Sequence, residues 1–258
     1  MSDEGRRRFL KIAGCTALGL CGAPLVNAAA AGRRRESRPN PAALEGGRWA
    51  LVVDLKKCQE QQGCTDCIDT CHRIHNVPHY DDPKREVKWI WKEDFAGAFP
   101  NQGQDYLESG VNQKPALVTC NHCDRAPCVR VCPTQATWKR EDGVVMMDMH
   151  RCIGCRYCIV ACPYGARSFN WSDPREVLEA QDRGFPTRMK GVVEKCNLCA
   201  ERLARGQIPA CVEACKYGAL SFGDLEDPNS EVRRILRSRY AIRRKIDLGT
   251  QPSVFYLV

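Results

Sequence analysis

The sequence predicts a loop-rich α+β fold, in which short strands and helices frame loops of regularly spaced cysteines. Sixteen of the 18 cysteines fall into four quartets, and each quartet ends in the same C-x3-C step. In chain order, the quartets are Cys58, Cys64, Cys67 and Cys71; Cys120, Cys123, Cys128 and Cys132; Cys152, Cys155, Cys158 and Cys162; and Cys196, Cys199, Cys211 and Cys215.

The third quartet reads C-x2-C-x2-C-x3-C-P, the ligand pattern of bacterial ferredoxins, in which three thiolates bind one cluster and the fourth binds its neighbour. Thiolates are soft ligands that suit iron-sulfur clusters. Sixteen such ligands predict four 4Fe-4S clusters, held in tandem bacterial dicluster-ferredoxin-like modules. We expect small or apolar neighbours of the third quartet to keep water from its cluster, namely Ile153, Gly154, Ile159, Val160, Ala161 and Ala166.

An internal repeat orders the quartets. Asp54 and Asp148 each stand four residues before the first cysteine of a quartet, so the first and third quartets form one type. The second and fourth quartets share a C-N-x-C opening and form the other. Because paired quartets exchange their fourth ligands, we expect one contiguous module and one split module. The contiguous module covers residues 116–171, the split module covers 48–80 plus 190–223, insertions cover 81–115 and 172–189, and a C-terminal tail covers 224–258.

Local patterns predict several further elements. Apolar or alternating runs predict strands over residues 49–53, 87–92 and 144–147. Ser172 and Ser230 are candidate N-caps of short helices over residues 174–182 and 231–239. Residues 253–258 are typical of a strand or a docking tail. Four histidines are expected in loops or at the surface rather than as ligands: His75, His79, His122 and His150.

The amino terminus matches an export signal. Residues 6–11 read R-R-R-F-L-K, which fits the twin-arginine pattern R-R-x-F-L-K, and an apolar stretch follows that ends in alanines suited to cleavage. We predict a twin-arginine signal peptide over residues 1–31, which contains Cys15 and Cys21, and a basic linker over residues 32–47. No later stretch is apolar enough to span a membrane. The expectation is a periplasmic protein that meets the cytoplasmic membrane only through partners.

The formal net charge of +8 could suit a nucleic acid, but the clusters offer a different explanation. A 4Fe-4S cluster with four thiolates carries a charge of about −2, so four would contribute about −8 and offset the basic residues. No nucleic-acid partner is therefore predicted. A structural zinc or disulfide interaction protein is the alternative of a different class, although tight cysteine triplets fit zinc sites poorly. No catalytic residue is predicted, since no nucleophile and base pair stands out.

The four quartets, in this order, resemble those of the four-cluster iron-sulfur subunits that accompany molybdopterin oxidoreductases and NrfD-type membrane proteins. The spacings C-x2-C-x4-C-x3-C-P from Cys120 and C-x2-C-x11-C-x3-C from Cys196 carry this resemblance, which covers residues 48–258. Within that family, the export signal, the C-x5-C opening at Cys58 and the segments 71–78 and 169–175 are most similar to DsrO-type subunits of DsrMKJOP membrane complexes, which are associated with sulfite reduction.

The resemblance implies how the cysteines share the clusters. The implied sets are Cys58, Cys64 and Cys67 with Cys215; Cys196, Cys199 and Cys211 with Cys71; Cys120, Cys123 and Cys128 with Cys162; and Cys152, Cys155 and Cys158 with Cys132. The C-x5-C opening departs from the commoner C-x2-C of the family. We therefore expect the Cys58 corner to be the least secure.

The resemblance also implies a function. It indicates a non-catalytic subunit that relays single electrons through four 4Fe-4S clusters, between a quinone-reactive NrfD-type membrane subunit and a periplasmic redox partner such as a multihaem cytochrome c. The alternative within the same class is the relay subunit of a periplasmic molybdopterin oxidoreductase, acting on polysulfide, tetrathionate or nitrite, with a molybdopterin subunit as its partner.

Overall fold

The structure, a computed structural model, describes residues 40–103, 110 and 113–258. The predicted signal peptide, with Cys15 and Cys21, and residues 32–39 of the predicted linker lie outside the described residues. The described strands are β1 (Trp49–Asp54), β2 (Ile90–Asp94), β3 (Pro115–Thr119), β4 (Thr137–Lys139), β5 (Val145–Met147), β6 (Ser168–Phe169), β7 (Val193–Glu194), β8 (Leu220–Asp224), β9 (Ala241–Ile242) and β10 (Val254–Leu257). The described α-helices are α1 (Leu55–Glu60), α2 (Asp66–Ile74), α3 (Phe95–Ala98), α4 (Pro127–Arg130), α5 (Tyr157–Val160), α6 (Ala200–Leu203), α7 (Ala210–Glu213) and α8 (Glu231–Ser238).

A four-stranded sheet with the order β8-β1-β10-β9 supports the first quartet. β1 runs antiparallel to β8 and parallel to β10, where Leu51 lies opposite Val254. All six residues of β1 are buried, as expected for an apolar run with a neighbour on each side. β1 leads directly into α1, which carries Cys58. The sheet thus brings the start of the predicted split module beside its end.

Three two-stranded ladders lead into the other quartets: β2–β3, β4–β5 and β6–β7. β4 and β5 form a hairpin that turns at Gly143, where a φ of 82° favours glycine. β6 pairs with β7, placing Phe169 opposite Val193. This short ladder joins residues of the predicted contiguous module to the second half of the predicted split module.

Several predicted elements are confirmed. Strands occur at residues 49–54 and 145–147, and the last apolar run forms β10, so the strand is the correct one of its two interpretations. Helix α8 begins after Ser230, whose side chain accepts a hydrogen bond from the backbone N–H of Arg233, as an N-cap does. The strand expected over residues 87–92 instead begins at Ile90.

The helix predicted over residues 174–182 is wrong. Only a single 3-10 turn forms there, at Pro174–Glu176, and Asp173 rather than Ser172 caps it. Asn76 holds the far end of this segment in a non-helical conformation. Its amide donates to the carbonyl oxygens of Asp182 and Phe185, and its Oδ1 accepts from the N–H of Asp182 at 2.7 Å. These bonds replace the intrahelical ones that the segment would otherwise form.

Cysteines belong to the apolar core. One group of buried side chains joins Cys67 and Cys71 to Leu51, Trp89 and Val118, among others. A second group joins cysteines of the second and third quartets to Val145 and Val193, among others. Among the described residues, no helix is both long enough and apolar enough to cross a membrane.

Candidate metal centres

Cysteines of the first quartet line one cavity together with a cysteine of the fourth. Cys58, Cys64, Cys67 and Cys215 line this cavity together with apolar residues such as Leu117 and Leu220. Cys58 lies on α1, whose N-terminus is capped by Asp54 through the N–H of Lys57 at 3.2 Å. The extra residues before Cys64 are therefore partly helical. This arrangement matches the first set that the family resemblance implied.

A second cavity collects cysteines of the second and third quartets. Cys120, Cys123, Cys128 and Cys162 line this cavity together with Ala126, Val145 and Ala166. Residues 250–253 cover this region. The N–H of Ser253 donates to the carbonyl of Asn121 at 2.8 Å, and the N–H of Arg125 donates to that of Thr250 at 3.0 Å. The grouping again matches an implied set, in which Cys162 crosses from the neighbouring quartet.

The third implied set also lies together. Cys71 is fully enclosed, and its pKa is raised by burial and then by the charges of Cys196, Cys211 and Cys199. The N–H of Ala210 points to the sulfur of Cys199 at 3.4 Å. The helices α2 and α7, which carry Cys71 and Cys211, are packed against each other. The first and fourth quartets thus exchange cysteines in both directions.

The structure shows only some of the cysteines of the fourth implied set close to one another. Cys152 lies close enough to Cys158 to raise its pKa, after the larger effect of burial. Cys155 is exposed. Cys132 lies before the β4–β5 hairpin, and hydrogen bonds from neighbouring backbone groups lower its pKa despite the opposing effect of burial. The membership of Cys132 and Cys155 in this set stays a prediction.

Burial makes the thiols reluctant to ionise on their own. It raises the pKa of Cys67, Cys123 and Cys199 to about 12, and neighbouring cysteines add to the effect. Metal ligation requires thiolates, so a cationic group must offset this cost. None of the sixteen described cysteines is in a disulfide. Enclosed groups of four cysteines therefore fit iron-sulfur clusters.

Two buried donors at the second cavity have no partner in the protein. Asn121 and Arg167 line this cavity, and Nδ2 of Asn121 and Nη2 of Arg167 form no hydrogen bond. Buried donors are rarely left unpaired. Cluster sulfurs are acceptors that would satisfy both, since hydrogen bonds to the sulfurs are a usual feature of such sites. Burial lowers the pKa of Arg167, but Cys128, Cys158 and Cys120 raise it overall, so its charge is secure.

His75 lies in the turn that follows α2, as the expectation of a loop position allows, but it is buried and not at the surface. Only 1% of this residue is exposed. Its Nδ1 lies 2.9 Å from the carbonyl oxygen of Cys71 and 3.6 Å from the sulfur, and its Nε2 lies 2.8 Å from Oε1 of Glu201. Both ring nitrogens face acceptors. An N–H at Nδ1 is placed to donate to the carbonyl oxygen of Cys71, and Nε2 shares a hydrogen bond with the carboxylate of Glu201.

Glu201 and Trp89 fix the orientation of His75. Asn197 holds the other oxygen of Glu201 at 2.8 Å, and the ring of Trp89 stacks on the imidazole at 4.7 Å. Burial raises the pKa of Glu201, but its hydrogen bond and charge interaction with His75 outweigh burial and lower it overall. Sequence reasoning missed this pair because its members lie far apart in the chain.

His122 is the second buried histidine, and it lies in a loop as expected. It is 2% exposed, and its Nδ1 accepts a hydrogen bond from the N–H of Val145 at 3.1 Å. Burial, helped by the charges of Lys195 and Arg167, holds its pKa well below the usual value. His122 is therefore neutral, in contrast to the donor geometry of His75.

Two of the residues expected to shield the third quartet do not do so. Ile153 and Val160 are exposed, whereas Ala166 is buried at the second cavity and Ile159 packs against the buried core. Position in the short helix α5 explains the difference between Ile159 and Val160, since adjacent residues of a helix point to different sides. The periodicity of a four-residue helix is too short to reveal this from sequence.

Comparisons with known proteins also indicate iron-sulfur clusters. The model of the 4Fe-4S dicluster domain matches residues 115–177 and 183–225. The chain is 39% identical to the Hdr-like menaquinol oxidoreductase iron-sulfur subunit 1 of Archaeoglobus fulgidus, over 97% of each chain. This likeness extends over nearly the whole of both proteins. The chain belongs to the family of ferredoxin-like iron-sulfur subunits of oxidoreductase complexes.

Other members of the family are similar over most of their length. The B subunit of tetrathionate reductase from Salmonella typhimurium is 36% identical over 99% of this chain and 88% of its own. The menaquinone reductase iron-sulfur cluster-binding subunit of Nitratidesulfovibrio vulgaris is 35% identical over 81% of this chain and 88% of its own. The protein is thus an iron-sulfur electron-transfer subunit with ferredoxin-like 4Fe-4S domains. The resemblance to iron-sulfur subunits of oxidoreductase complexes, inferred from the cysteine spacings, is thus confirmed.

Proposed function

We propose that this chain relays single electrons through four 4Fe-4S clusters between a quinone-reactive integral membrane subunit of the NrfD type and a periplasmic redox partner. The observation that carries the proposal is the pair of enclosed cavities, each lined by three cysteines of one quartet and one of another. Clusters held in this way supply reversible one-electron chemistry. The chain itself binds and orients them and excludes water from their surroundings.

The proposed ligand sets are those implied by the family. They are Cys58, Cys64, Cys67 and Cys215; Cys71, Cys196, Cys199 and Cys211; Cys120, Cys123, Cys128 and Cys162; and Cys132, Cys152, Cys155 and Cys158. Cysteine grouping in the structure supports the first three sets directly. The Asp-x-x-base-Cys repeat and the ferredoxin spacing support the fourth.

A quinol-linked role is supported by the relatives. The Archaeoglobus protein is by name a subunit of a menaquinol oxidoreductase, and the Nitratidesulfovibrio protein is a subunit of a menaquinone reductase. We propose that the same kind of electron donor or acceptor, held by the membrane subunit, serves this chain. A multihaem cytochrome c is the proposed second partner, in a sulfite-reduction-associated complex of the DsrMKJOP type.

The second candidate is a relay subunit of a periplasmic molybdopterin oxidoreductase. The likeness to the tetrathionate reductase protein, over nearly the whole of this chain, favours it. The two candidates share their clusters and differ in the second partner. Affinity purification of the tagged chain from its native host, with haem and molybdenum assayed in the same preparation, separates them. Haem c without molybdenum supports the first candidate, and molybdenum supports the second.

The cluster content is tested on the chain purified without oxygen. We expect about sixteen iron and about sixteen sulfide per chain, since four cubanes each contain four of both. We also expect a brown colour that dithionite bleaches. Stoichiometric zinc without sulfide would instead indicate a structural zinc protein and end the relay proposal.

The periplasmic location is proposed from the twin-arginine pattern at residues 6–11. Replacing Arg6 and Arg7 together by lysine should leave precursor in the cytoplasm, because the export machinery reads the arginine pair. The matched control is Arg8→Lys, which should be exported normally. Periplasmic arrival of the double variant at the wild-type level would overturn this route, since both possible arginine pairs contain Arg7.

A further inference from the structure

Lys195 is a buried lysine between two of the cysteine groups. It directly follows β7, and only 2% of the residue is exposed. Its ammonium donates to the carbonyl oxygen of Val145, a residue that lines the second cavity. It also donates at 2.7 Å to the carbonyl oxygen of Cys196, one of the ligands proposed together with Cys71. A single side chain therefore joins the contiguous module to the split module.

The charge of Lys195 is not balanced by a carboxylate among the residues that the structure describes. The buried guanidinium of Arg188, by contrast, pairs with Glu194. That of Arg244 pairs with Glu93 at 3.0 Å. An isolated charge is costly to bury, so a buried ammonium without a carboxylate indicates another negative group nearby. The proposed clusters on either side of Lys195, each with a charge of about −2, are such groups.

The two cluster sites beside Lys195 approach each other at Cys196. This cysteine packs against both groups of core residues, the one that contains Cys71 and the one that contains Cys120. Burial raises the pKa of Cys196 and the charge of Cys120 raises it further, whereas Lys195 acts in the opposite direction. In the proposed relay, an electron that visits all four clusters has to cross from one module to the other. Lys195 lies where cysteines of the two modules meet.

We infer that the fixed charge of Lys195 raises the reduction potentials of both clusters at this junction and so favours the passage of an electron between the modules. The inference rests on the proposed function, which supplies the clusters. Reduction adds one negative charge to a cluster, and a nearby positive charge stabilises that form. At an effective dielectric constant of about 20, a unit charge about 8 Å away changes such an equilibrium by more than about tenfold. Burial keeps the ammonium from being screened by salt.

The test removes the charge of Lys195 from the full chain, purified with its clusters and without oxygen. Lys195→Gln removes the charge but keeps an N–H donor for the carbonyls, whereas Lys195→Arg keeps both. The matched control is Lys216→Gln. Lys216 also stands next to a proposed ligand, Cys215, but its side chain is 76% exposed and pairs with Asp66 at 3.1 Å. Redox titration followed by electron paramagnetic resonance measures the potential of each cluster.

We expect Lys195→Gln to lower the potentials of two clusters, those bound by Cys71 and by Cys162. At a fixed potential, the ratio of reduced to oxidised cluster should fall at least about tenfold, which is about 59 mV for a one-electron couple. The other two clusters should shift less, since they lie farther from the ammonium. Lys195→Arg and Lys216→Gln should keep the wild-type potentials. Cys71→Ser and Cys162→Ser identify the two steps in the titration.

Unchanged potentials in a fully loaded Lys195→Gln chain would overturn this inference and leave the relay itself in place. Equal shifts of all four clusters would overturn it as well. If Lys195→Gln does not load its clusters, iron analysis and titration of Lys195→Arg decide. Full loading of Lys195→Arg at wild-type potentials would support the role of the charge, and loss of clusters in both variants would show that Lys195 is purely structural. A wild-type chain without four clusters would overturn the proposed function instead.

Discussion

The first and third quartets follow one sequence pattern, yet they lie in different surroundings. Cys58 and Cys67 lie on helices, and Lys92 donates to the carbonyl oxygen of Cys64 at 2.6 Å. In the third quartet, Cys152 and Cys155 lie in a loop, and Cys155 is exposed. The shared pattern determines where the ligands stand. The residues between the ligands determine whether the site is enclosed or exposed.

The surroundings of the fourth cysteine also differ between the two quartets. Four residues after Cys71 stands His75, with its N–H directed at Cys71, whereas four residues after Cys162 stands Ala166. A hydrogen bond to a ligand sulfur stabilises the more negative, reduced cluster and raises its potential. Two clusters held by similar cysteines can therefore differ in potential through one neighbouring residue.

The largest expected effect comes from removing a cysteine that crosses between quartets. Cys215→Ser should eliminate the cluster of the first quartet or convert it to a three-iron form, because Cys215 lines the same cavity as the other three ligands. The iron content per chain should then fall from about sixteen to about twelve on loss, or to about fifteen on conversion. Cys162→Ser should affect the cluster of Cys120, Cys123 and Cys128 in the same way. Iron and sulfide analysis with paramagnetic resonance measures both. A change confined to the Cys152 cluster in Cys162→Ser would contradict the exchange.

Sensitivity to air tests whether loop length or exposure decides which cluster is the first to lose iron. The C-x5-C opening makes Cys58 the expected weak corner, but the structure places Cys58 on a helix and leaves Cys155 exposed. For the isolated chain we now expect the cluster at Cys155 to be the first to lose iron in air. The three-iron signal that air produces in the wild type should already be present in Cys155→Ala kept without oxygen, because the other three cysteines hold the three-iron form, and air should not add to it. In Cys58→Ala, air should still produce the additional signal. The reverse result would restore the argument from loop length.

The contribution of His75 is tested by redox potential. His75→Phe keeps an aromatic ring between Trp89 and Phe185 but removes the N–H groups, so the potential of the cluster at Cys71 should fall. Redox titration followed by paramagnetic resonance measures the shift, and Cys71→Ser identifies the affected step. His122→Phe, at the other buried histidine, should leave that step in place. Equal shifts of all steps in His75→Phe would indicate a purely structural role.

The smallest expected effect concerns the aspartates that precede the first and third quartets. Asp54 caps α1 and pairs with Arg239 at 2.5 Å, whereas Asp148 accepts from the N–H of His150 in a loop. Asp54→Ala should lower the free energy of unfolding by about 1 kcal/mol, as loss of an N-cap does, and Asp148→Ala by less. Urea denaturation of the loaded chain measures both. Equal losses of unfolding free energy in the two variants would show that capping of α1 adds no stability around Cys58.

The contribution of Asp54 to the free energy of unfolding should depend on pH in a defined direction. Burial raises the pKa of Asp54, but its hydrogen bonds and charge interactions with Arg239 and Lys57 lower it overall. A carboxyl whose pKa is lowered by folding stabilises the protein above its unfolded pKa, about 3.9, and loses this contribution as the pH falls further. The difference in stability between wild type and Asp54→Ala should therefore shrink below about pH 4.

The spacing of the cysteines could predict which of them act as cluster ligands, because ligands of one cluster lie close together in the chain. Sequence could also predict α8, where Ser230 provides a local cap. It could not predict the absence of a helix after Glu176, because Asn76 intervenes from a distant segment. The pairing of His75 with Glu201 and the exposure of Val160 were equally hidden. Each depends on long-range packing rather than on local pattern.

The segment from Thr250 to Leu257 has a consequence for the order of assembly. Its first part covers the second cavity through Asn121 and Arg125, and its last part, β10, pairs with the strand that leads into Cys58. Neither region can close until this segment has left the ribosome. Contacts between such distant residues also form slowly. A chain that stops short of residue 250 would lack both the hydrogen bonds to Asn121 and Arg125 and the parallel neighbour of β1.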